Sequence, residues 1–551
     1  MKKSLALFLA AALLLPGCVK VDNTLGKGLI DKSLLFDTYT ATFPLTEIQL
    51  KYSSDLSGYS SSHLTVGAIR DDVFGLTTRE AAFCLVPALD TLDLGDNPVA
   101  QGLKLYFTGD TVSCNNDSEA RIFQNFYVTE LTRPLPTIRT GCMQDIPHGD
   151  AIITNGIPVF DGLGGLTLSF TQEYAQKYVD ILDELGPYFR TVAEDDDDND
   201  IDKLRYEVYV QAVPGIHIRT DVPDGPGGRI NLFEFSSLSV ESNRFYLNSN
   251  VAELTVTSTW NGVRKDSTIL MLPGEPAFLD EDYYIEINER FPQFCFNRSS
   301  HSTLPGQADE AVYVEGGGGL KPVILARELQ EKTSAEIARL GGKPEDAIII
   351  KATIGLPFEM PEDYRDLKYY PSQLSPTICK MVTDIPTLEE YPTFAGLTDA
   401  SVSTEDQGNI DRSNLEYSPD ITYHMQDLLS RTDLATATDA DIWLLAIHTE
   451  QVAVANYSES DNQYMQNLMY ASYYESLYGG YSGYGYGGSS YNNYYNYMML
   501  AQMMNSANQQ QYTTTTELDK DRFYKGILGG PSSTDIEKRP YFRVTFAIPQ
   551  K

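Results

Sequence analysis

The stretch TYTATFPLTEIQLKY, residues 38–52, indicates how this chain folds. Threonine and aromatic residues alternate there with small or polar ones, a pattern typical of β-strands with one buried face. Further runs of the same kind follow at residues 63–69, 81–86, 103–109 and 123–131. Short strands at this spacing, separated by turn sequences such as DLSG and DLGDN, predict antiparallel sandwich or jelly-roll units.

Helical periodicity interrupts the strands at three places. Tyrosine, isoleucine and leucine recur at helical spacing over residues 172–186, which end at a glycine, and a second helix is predicted at 326–340. A third is predicted at 419–431, with Pro419 in its first turn. We therefore predict a mainly β fold of antiparallel jelly-roll or sandwich-like units with a few peripheral helices.

The later strands are predicted at YEVYVQAV (206–213), IHIRTDV (216–222), INLFEFSSLSV (230–240), VAELTVTSTW (251–260), AIIIKATIGL (347–356), LSPTICKMV (374–382), DIWLLAIHTEQV (441–452) and PYFRVTFAIPQ (540–550). The predicted organisation is a leader at 1–17, a tether at 18–34, a sandwich-like region at 35–190, an acidic loop at 191–204, a second β region at 205–300 and a C-terminal β-rich region at 301–551. The β runs of 205–300 are either a second sandwich or a second sheet of a larger one.

The first 18 residues, MKKSLALFLAAALLLPGC, carry two lysines and then a short apolar run that ends at Leu15-Pro16-Gly17-Cys18. The run is too short to span a bilayer, which takes about 20 helical residues, and it is typical of a secretory signal. Its end resembles a bacterial lipobox. The resemblance implies that the Cys18 thiol is acylated and that the mature chain is held at the membrane by its acyl chains. By the same resemblance, Val19 in place of Asp directly after the cysteine favours the outer membrane. Acidic residues near the cysteine can act as a surface-export signal, and VKVDN holds only Asp22, so the leaflet stays open.

Charge narrows the range of partners. The chain has 41 Lys and Arg against 76 Asp and Glu, a net charge of −35, so it repels nucleic acid. An acid-rich surface suits divalent cations. Asp196, Asp198, Asp200 and Glu207 stand at positions 1, 3, 5 and 12 of a calcium-loop spacing, but position 6 is Ile201 where the turn needs glycine. We expect a solvated acidic loop, with calcium as the alternative and no other cofactor.

The cysteines give no metal motif. Apart from Cys18 there are Cys84, Cys114, Cys142, Cys295 and Cys379, an odd number, and their spacing assigns no disulfide. Cys84 and Cys295 lie in apolar runs and are expected to be buried, inert thiols.

Residues 463–511 form an insert rich in tyrosine, glycine and methionine. Residues 464–497 hold 12 of the chain's 36 tyrosines, and Glu475 is the one charged residue in the insert. Low complexity predicts a poorly packed segment, although methionines at helical spacing in both flanks also fit a helical hairpin. An adaptable Met/Tyr surface suits a protein partner or a membrane interface, and its tyrosines could also stack on sugars.

Sequence motifs do not indicate an enzyme. EGGGGLK, residues 315–321, fails as a phosphate loop because Pro322 follows Lys321, and a tight turn explains its glycines better. The sequence has no HExxH and no GxSxG. His217 and His448 lie in apolar runs and are expected to be core or edge residues. We expect no catalytic site, and an unrecognised hydrolase is the remaining enzymatic alternative.

Several segments together resemble DUF4270, a family of uncharacterised Bacteroidota lipoproteins: DNTLGKGLI (22–30), VGAIRDDVFG (66–75), YVEGGGGLKPVIL (313–325), NIDRSNLEYSPDITYHMQDLL (409–429) and the closing β run. The resemblance implies an exported, β-rich envelope lipoprotein and transfers no catalytic residue. The DRSNLEYSPD stretch is expected to hold a buried polar network, with a ligand site as the alternative.

These observations predict an outer-membrane lipoprotein with a non-enzymatic binding or scaffold role in the cell envelope. Its expected partners are the membrane, through Cys18, and an envelope protein or glycan. The alternative function is a glycan-binding module serving polysaccharide uptake.

Overall fold

A computed structural model describes residues 35–60, 63–87, 93–110, 113, 116–135, 140–186, 208–234, 239–241, 244–246, 251–274, 295–383, 390–397, 407–454 and 511–550. The leader and tether, the acidic loop and most of the Tyr/Gly/Met-rich insert lie outside these ranges. The confirmed fold class is mainly β, with antiparallel sheets and few helices. The finer prediction of jelly-roll units stays a prediction.

The strands of the first half are β1 Phe36–Pro44, β2 Ile48–Tyr52, β3 Tyr59–Ser60, β4 His63–Asp71, β5 Gly75–Pro87, β6 Asp96–Thr108, β7 Gln124–Leu131, β8 His148–Ile152, β9 Val159–Phe160, β10 Gly165–Ser169, β11 Ile216–Thr220, β12 Gly227–Glu234, β13 Ser239–Glu241, β14 Arg244–Tyr246, β15 Val251–Trp260 and β16 Val263–Gly274.

The strands of the second half are β17 Cys295–His301, β18 Gly306–Gln307, β19 Ala311–Glu315, β20 Leu320–Ile324, β21 Ile348–Pro357, β22 Gln373–Thr383, β23 Glu390–Gly396, β24 Ile410–Asp411, β25 Glu416–Tyr417, β26 Ile442–Val454, β27 Gln511–Leu518, β28 Lys525–Gly529 and β29 Tyr541–Pro549. The helices are α1 Gln172–Leu185, α2 Ala326–Arg339 and α3 Thr422–Ser430.

Helix α1 confirms the periodicity seen in the sequence. The Thr171 hydroxyl accepts a hydrogen bond from the Tyr174 amide at its N-terminus, and Gly186 ends it with a positive φ of 74°. The buried face is the predicted one, and it packs on strand β6. Helix α2 is also confirmed, as are the strands predicted at 347–356, 374–382, 441–452 and 540–550.

One 13-stranded sheet, which we call the large sheet, holds strands β3–β12 and β15–β17. Its central order is β10-β6-β15-β16-β5-β11-β7-β8. The proposed division of 35–190 from 205–300 is therefore wrong as a boundary between sheets, because strands from both regions alternate in one hydrogen-bonded ladder. Neither alternative for 205–300 matches this order, because β11, β12, β15 and β16 form neither a second sandwich nor a second sheet and pair within the same large sheet.

A second body, the C-terminal core, is built from a five-stranded sheet, β1-β29-β21-β25-β24, and a seven-stranded sheet that contains β2, β18, β20, β22, β23, β26 and β27. Helices α2 and α3 pack on it. Its first two strands come from the predicted 35–190 region, because β1 pairs with β29 and β2 with β20. The start of the described chain is thus closed by its end, a pairing that no local pattern could indicate.

Two local predictions are wrong. Residues 208–212 are helical and not part of a strand, and Tyr209 donates a hydrogen bond to the Leu85 carbonyl from this helical turn. Pro419 lies outside α3, because its carbonyl accepts a hydrogen bond from Ile354 of strand β21. The helix begins only at Thr422, whose amide and hydroxyl both donate to Asp420.

Candidate functional site

The residues predicted to carry function lie outside the described part of the chain. These are Cys18 and the calcium candidates Asp196, Asp198, Asp200 and Glu207. Cys84, Cys142, Cys295 and Cys379 form no disulfide with one another, and Cys114 is not described. As predicted, Cys84 and Cys295 are buried.

The glycine-rich segment 315–321 connects two sheets and is held by many hydrogen bonds. It links strand β19 to strand β20. Strand β19 pairs with β28, whereas β20 pairs with β2 and β26, so the segment connects two different sheets and does not close a hairpin. Lys321 is 1% exposed, and its ammonium donates hydrogen bonds to the carbonyls of Glu315, Gly317 and Gly319 at 2.5, 3.0 and 3.2 Å. The loop therefore wraps its own lysine in the way that backbone carbonyls surround a bound cation.

The glycines are required by close approach. Gly317 has φ +56°, and a Cβ added there would lie 2.0 Å from the guanidinium of Arg79 on strand β5. A Cβ on Gly318 would lie 2.5 Å from Met143. Arg79 of the large sheet and Met143 of the segment between β7 and β8 thus lie directly against the loop backbone, where glycine leaves them room.

Glu315 balances the buried cations. Its carboxylate accepts hydrogen bonds from the Thr303 hydroxyl at 2.7 Å and the Leu320 amide at 2.9 Å, and it contacts the His301 ring at 3.3 Å. Burial alone would raise the pKa of Glu315, but these partners outweigh burial and lower it. Burial also lowers the pKa of Lys321 to about 8, against the attraction of Glu315. We call Glu315–Lys321, with Arg79 and His301, the glycine hub.

A second polar cluster joins the same two bodies. His63, at the start of strand β4, places one ring nitrogen 3.0 Å from Asp110 and the other 3.8 Å from Asp521. Asp521 also accepts hydrogen bonds from Ser60 at 2.6 Å and Asn297 at 2.9 Å. Burial alone would lower the pKa of His63, but the hydrogen bonds to the two carboxylates raise it from 6.5 to about 10, so the ring is an imidazolium at neutral pH.

A third cluster resembles a catalytic triad in composition only. His217 contacts the Thr129 hydroxyl at 3.3 Å and Glu80 at 3.2 Å, and the His148 ring stacks on it at 4.1 Å between centroids. His217 is 0% and Thr129 2% exposed, so no substrate carbonyl can approach the hydroxyl in this conformation. His217 is thus a satisfied core histidine, as predicted. His448 lies in a stretch whose side chains are not described.

The DRSNLEYSPD turn differs from its prediction. Asp411 holds the turn at the surface, because its carboxylate accepts hydrogen bonds from the Ser413 and Asn414 amides at 2.8 and 3.0 Å. The network was expected to include Asp411, Arg412, Ser413, Asn414 and Asp420. Of its two aspartates, Asp420 is buried, at 5% exposure. The expected buried network is therefore wrong for Asp411, which forms an exposed Asx turn.

The three most exposed aromatic side chains of the described residues lie in different elements. Phe123 precedes β7, Tyr364 lies in a 3-10 turn and Tyr423 in α3. Trp443 is 9% exposed and packs edge-to-face on Phe394. In the ranges given above, no cluster of three or more His, Cys, Asp or Glu residues could hold a metal ion. The helices found there are also too short or too polar to cross a bilayer.

The geometry defines a mainly β protein of two bodies that buried ionic clusters join. Comparison with known protein families, with curated proteins and with solved structures gives no match. Sequence reasoning missed the glycine hub and the His63 cluster. The one local signal was a lysine directly after four glycines and a leucine, Gly316–Lys321.

Proposed function

We propose that this chain is an outer-membrane lipoprotein, anchored through acylated Cys18, that serves as a non-enzymatic binding or scaffold component of the cell envelope. The observation that carries the proposal is the leader, in which a charged start and a short apolar run lead to Leu15-Pro16-Gly17-Cys18. The DUF4270-like segments support the same class.

The binding element is the Tyr/Gly/Met-rich insert, residues 463–511. Strands β26 and β27 pair from Ile447↔Leu518 to Val454↔Gln511. Residues of β26 that follow Ile447 pair with no other described strand. The two chain ends that flank the insert are therefore held side by side at the tip of a two-stranded ribbon. A ribbon of this kind presents a long insertion without disturbing the sheet that carries it.

The anchor is tested by mass spectrometry of the N-terminal peptide from natively expressed protein. We expect a first residue at Cys18 with added acyl mass, and Cys18→Ala should yield unacylated protein that is released from membranes. An unmodified Cys18 in the mature wild-type chain would overturn the anchor.

The binding element is tested by crosslinking in native envelopes. Wild-type protein should retain a defined envelope protein that a variant lacking residues 463–510 loses. Replacing the same residues by a Gly/Ser linker of equal length is the matched control, and it should lose the partner too. A partner profile that is unchanged by both variants would refute a role for the insert, and retardation in polysaccharide gels would instead support the glycan-binding alternative.

A further inference from the structure

Strand β1 is an edge of the five-stranded sheet. It pairs on one side with β29 in unbroken register, from Phe36↔Pro549 to Pro44↔Tyr541. On its other side, none of the described strands pairs with it. The edge is nine residues long and carries no bulge.

The flanking hydrogen bonds show which backbone groups point outward. The Gln550 amide donates to the Leu35 carbonyl at 2.7 Å, and the Leu45 amide donates to the Pro540 carbonyl at 3.0 Å. In an antiparallel pair the bonded residues alternate, so odd-numbered residues of β1 face β29. The amides and carbonyls of Phe36, Thr38, Thr40 and Thr42 therefore face the open edge.

This edge lacks the usual protection against pairing. Natural edge strands are blunted by lysines, prolines or bulges. Strand β1 has one charged residue, Asp37, and its proline, Pro44, stands at the last position. Its alternating threonine and aromatic residues have high β-propensity.

We propose that the open edge of β1 pairs antiparallel with β1 of a second copy of this chain, about a twofold axis at Thr40. The sequence FDTYTATFP is self-complementary in this register. Thr38 lies opposite Thr42 of the second copy, and Thr40 lies opposite itself. On the face that packs on the C-terminal core, Tyr39 lies opposite Ala41, so a large side chain meets a small one. The threonine pairs alone supply about six main-chain hydrogen bonds.

A lysine stands near each end of this pairing, where it already pairs with Glu328 of its own helix at 2.6 Å. The Lys332 ammonium of helix α2 donates to the Pro44 carbonyl at 2.5 Å, at one end of the strand. Asp37 of the second copy lies opposite Phe43 in this register and thus comes close to Lys332. The twofold axis repeats the contact and keeps the two Asp37 carboxylates at opposite ends. The net charge of −35 on each copy opposes association at long range, so salt should strengthen the dimer.

Register-specific crosslinking tests the pairing in intact membranes. With a short bifunctional maleimide, Thr40→Cys should give a covalent dimer well above the wild-type background. Thr38→Cys and Thr42→Cys should each stay monomeric alone, and they should crosslink to each other when two differently tagged copies are coexpressed. Monomeric Thr40→Cys, or crosslinks to a protein of another mass, would overturn the homodimer.

Sedimentation of the detergent-solubilised full chain gives a second, independent test. Thr40→Pro removes an outward amide that β29 does not use, together with the exposed hydroxyl contact to Thr545, so it should stay within a few degrees of the wild-type melting temperature and lower the dimer population at least tenfold. Ala41→Pro removes an amide that faces β29, and it should lower the melting temperature itself. A wild-type chain that stays monomeric from low to high salt would refute the proposal, which does not depend on the anchor or on the insert.

Discussion

The His63 cluster makes stability depend on pH in a direction that is unusual for a buried histidine. We consider the variant His63→Asn, which keeps a polar side chain and removes the imidazolium between Asp110 and Asp521. The pKa of His63 is about 10 in the folded chain, against 6.5 for an ordinary histidine. A shift of that size corresponds to roughly 3–5 kcal/mol of pH-dependent stability.

The sign follows from where the proton binds more tightly. The folded ring holds its proton up to about pH 10, whereas the unfolded ring releases it near pH 6.5. The stabilisation is therefore fully present below pH 6.5, and it is lost as the pH rises through about 10. Removing the ring should cost most near neutral or mildly acidic pH and least in alkali.

Urea titrations of wild type and His63→Asn at about pH 6 and about pH 9.5 measure this effect. We expect the difference in their free energies of unfolding to shrink by roughly 3 kcal/mol between the two conditions. A pH-independent remainder should persist, because Asp521 loses a partner in the variant at every pH. Other groups, such as Lys321, titrate alike in both proteins and cancel in the difference.

His424 supplies the matched control. It is also buried and bonds to the Ala440 carbonyl at 2.9 Å, but burial lowers its pKa. Its contribution is present above pH 6.5 and is lost only as the pH falls, so the cost of His424→Asn should not decrease between pH 6 and 9.5. An equal cost of His63→Asn at both pH values would refute the assignment of a charged ring at His63.

Three further outcomes follow from the glycine hub and the ribbon. Lys321→Met removes the ammonium that donates to three buried carbonyls and takes a positive charge away from the buried Glu315 carboxylate, while Ser53 still donates to the Gly317 and Gly319 carbonyls. The variant should cost roughly 3 kcal/mol of unfolding free energy in urea at neutral pH, so a loss below 1 kcal/mol would contradict the hub. Gly317→Ala should lower the melting temperature by much more than Gly164→Ala does. Both glycines have a positive φ (+56° and +63°), but only an alanine at 317 would meet a neighbour, Arg79. Equal decreases in melting temperature would show that the contact with Arg79 is harmless. Replacing residues 455–510 by an Asn-Gly turn should leave the melting temperature within a few degrees of the wild-type value, since the flanking residues Val454 and Gln511 are already paired. Loss of the cooperative melt would show that the C-terminal core depends on the insert.

Local pattern was enough to predict the fold class and several elements. Alternation predicted the strands, and the spacing of Tyr174, Tyr178 and Leu182 predicted α1 because its buried face follows the helical period. The prediction failed at residues 208–212, where an alternating apolar run folds as a helical turn. Tertiary contacts of Tyr209 with strand β5 outweigh local propensity there.

The polar clusters were beyond sequence reasoning for a different reason. Ser60 and Asp521 are 461 positions apart, and Thr46 and Glu328 are 282 apart, yet each pair shares a hydrogen bond of 2.6 Å. A single sequence carries no signal that brings such residues together. The sequence did predict a tight turn at the glycine run, and the Gly319 amide donates to the Gly316 carbonyl there at 3.1 Å. It could not indicate the neighbours that crowd these glycines, because Arg79, Met143 and Arg522 are remote in the sequence.

The closing strand connects these observations, because the C-terminal core cannot be completed without it. Strand β29 lies between β1 and β21 in the five-stranded sheet. Its side chains Phe542, Val544 and Phe546 are each 0% exposed. Burial of three such side chains contributes roughly 5–9 kcal/mol, which is comparable to the whole stability of a typical domain.

A chain that ends at Arg539 should therefore lose the cooperative unfolding of the C-terminal core, and limited proteolysis should cleave it within β1 and β21. Removal of Gln550 and Lys551 alone is the control. Among the described contacts it removes the hydrogen bonds of Gln550 to Leu35 and Asp37, and it should leave the protease pattern intact. Because β1 is the first described strand and β29 the last, neither can be protected until the entire chain is present. Full protease resistance of the chain ending at Arg539 would show that the ladder from β1 to β21 closes without its central strand, and it would contradict the order of this sheet.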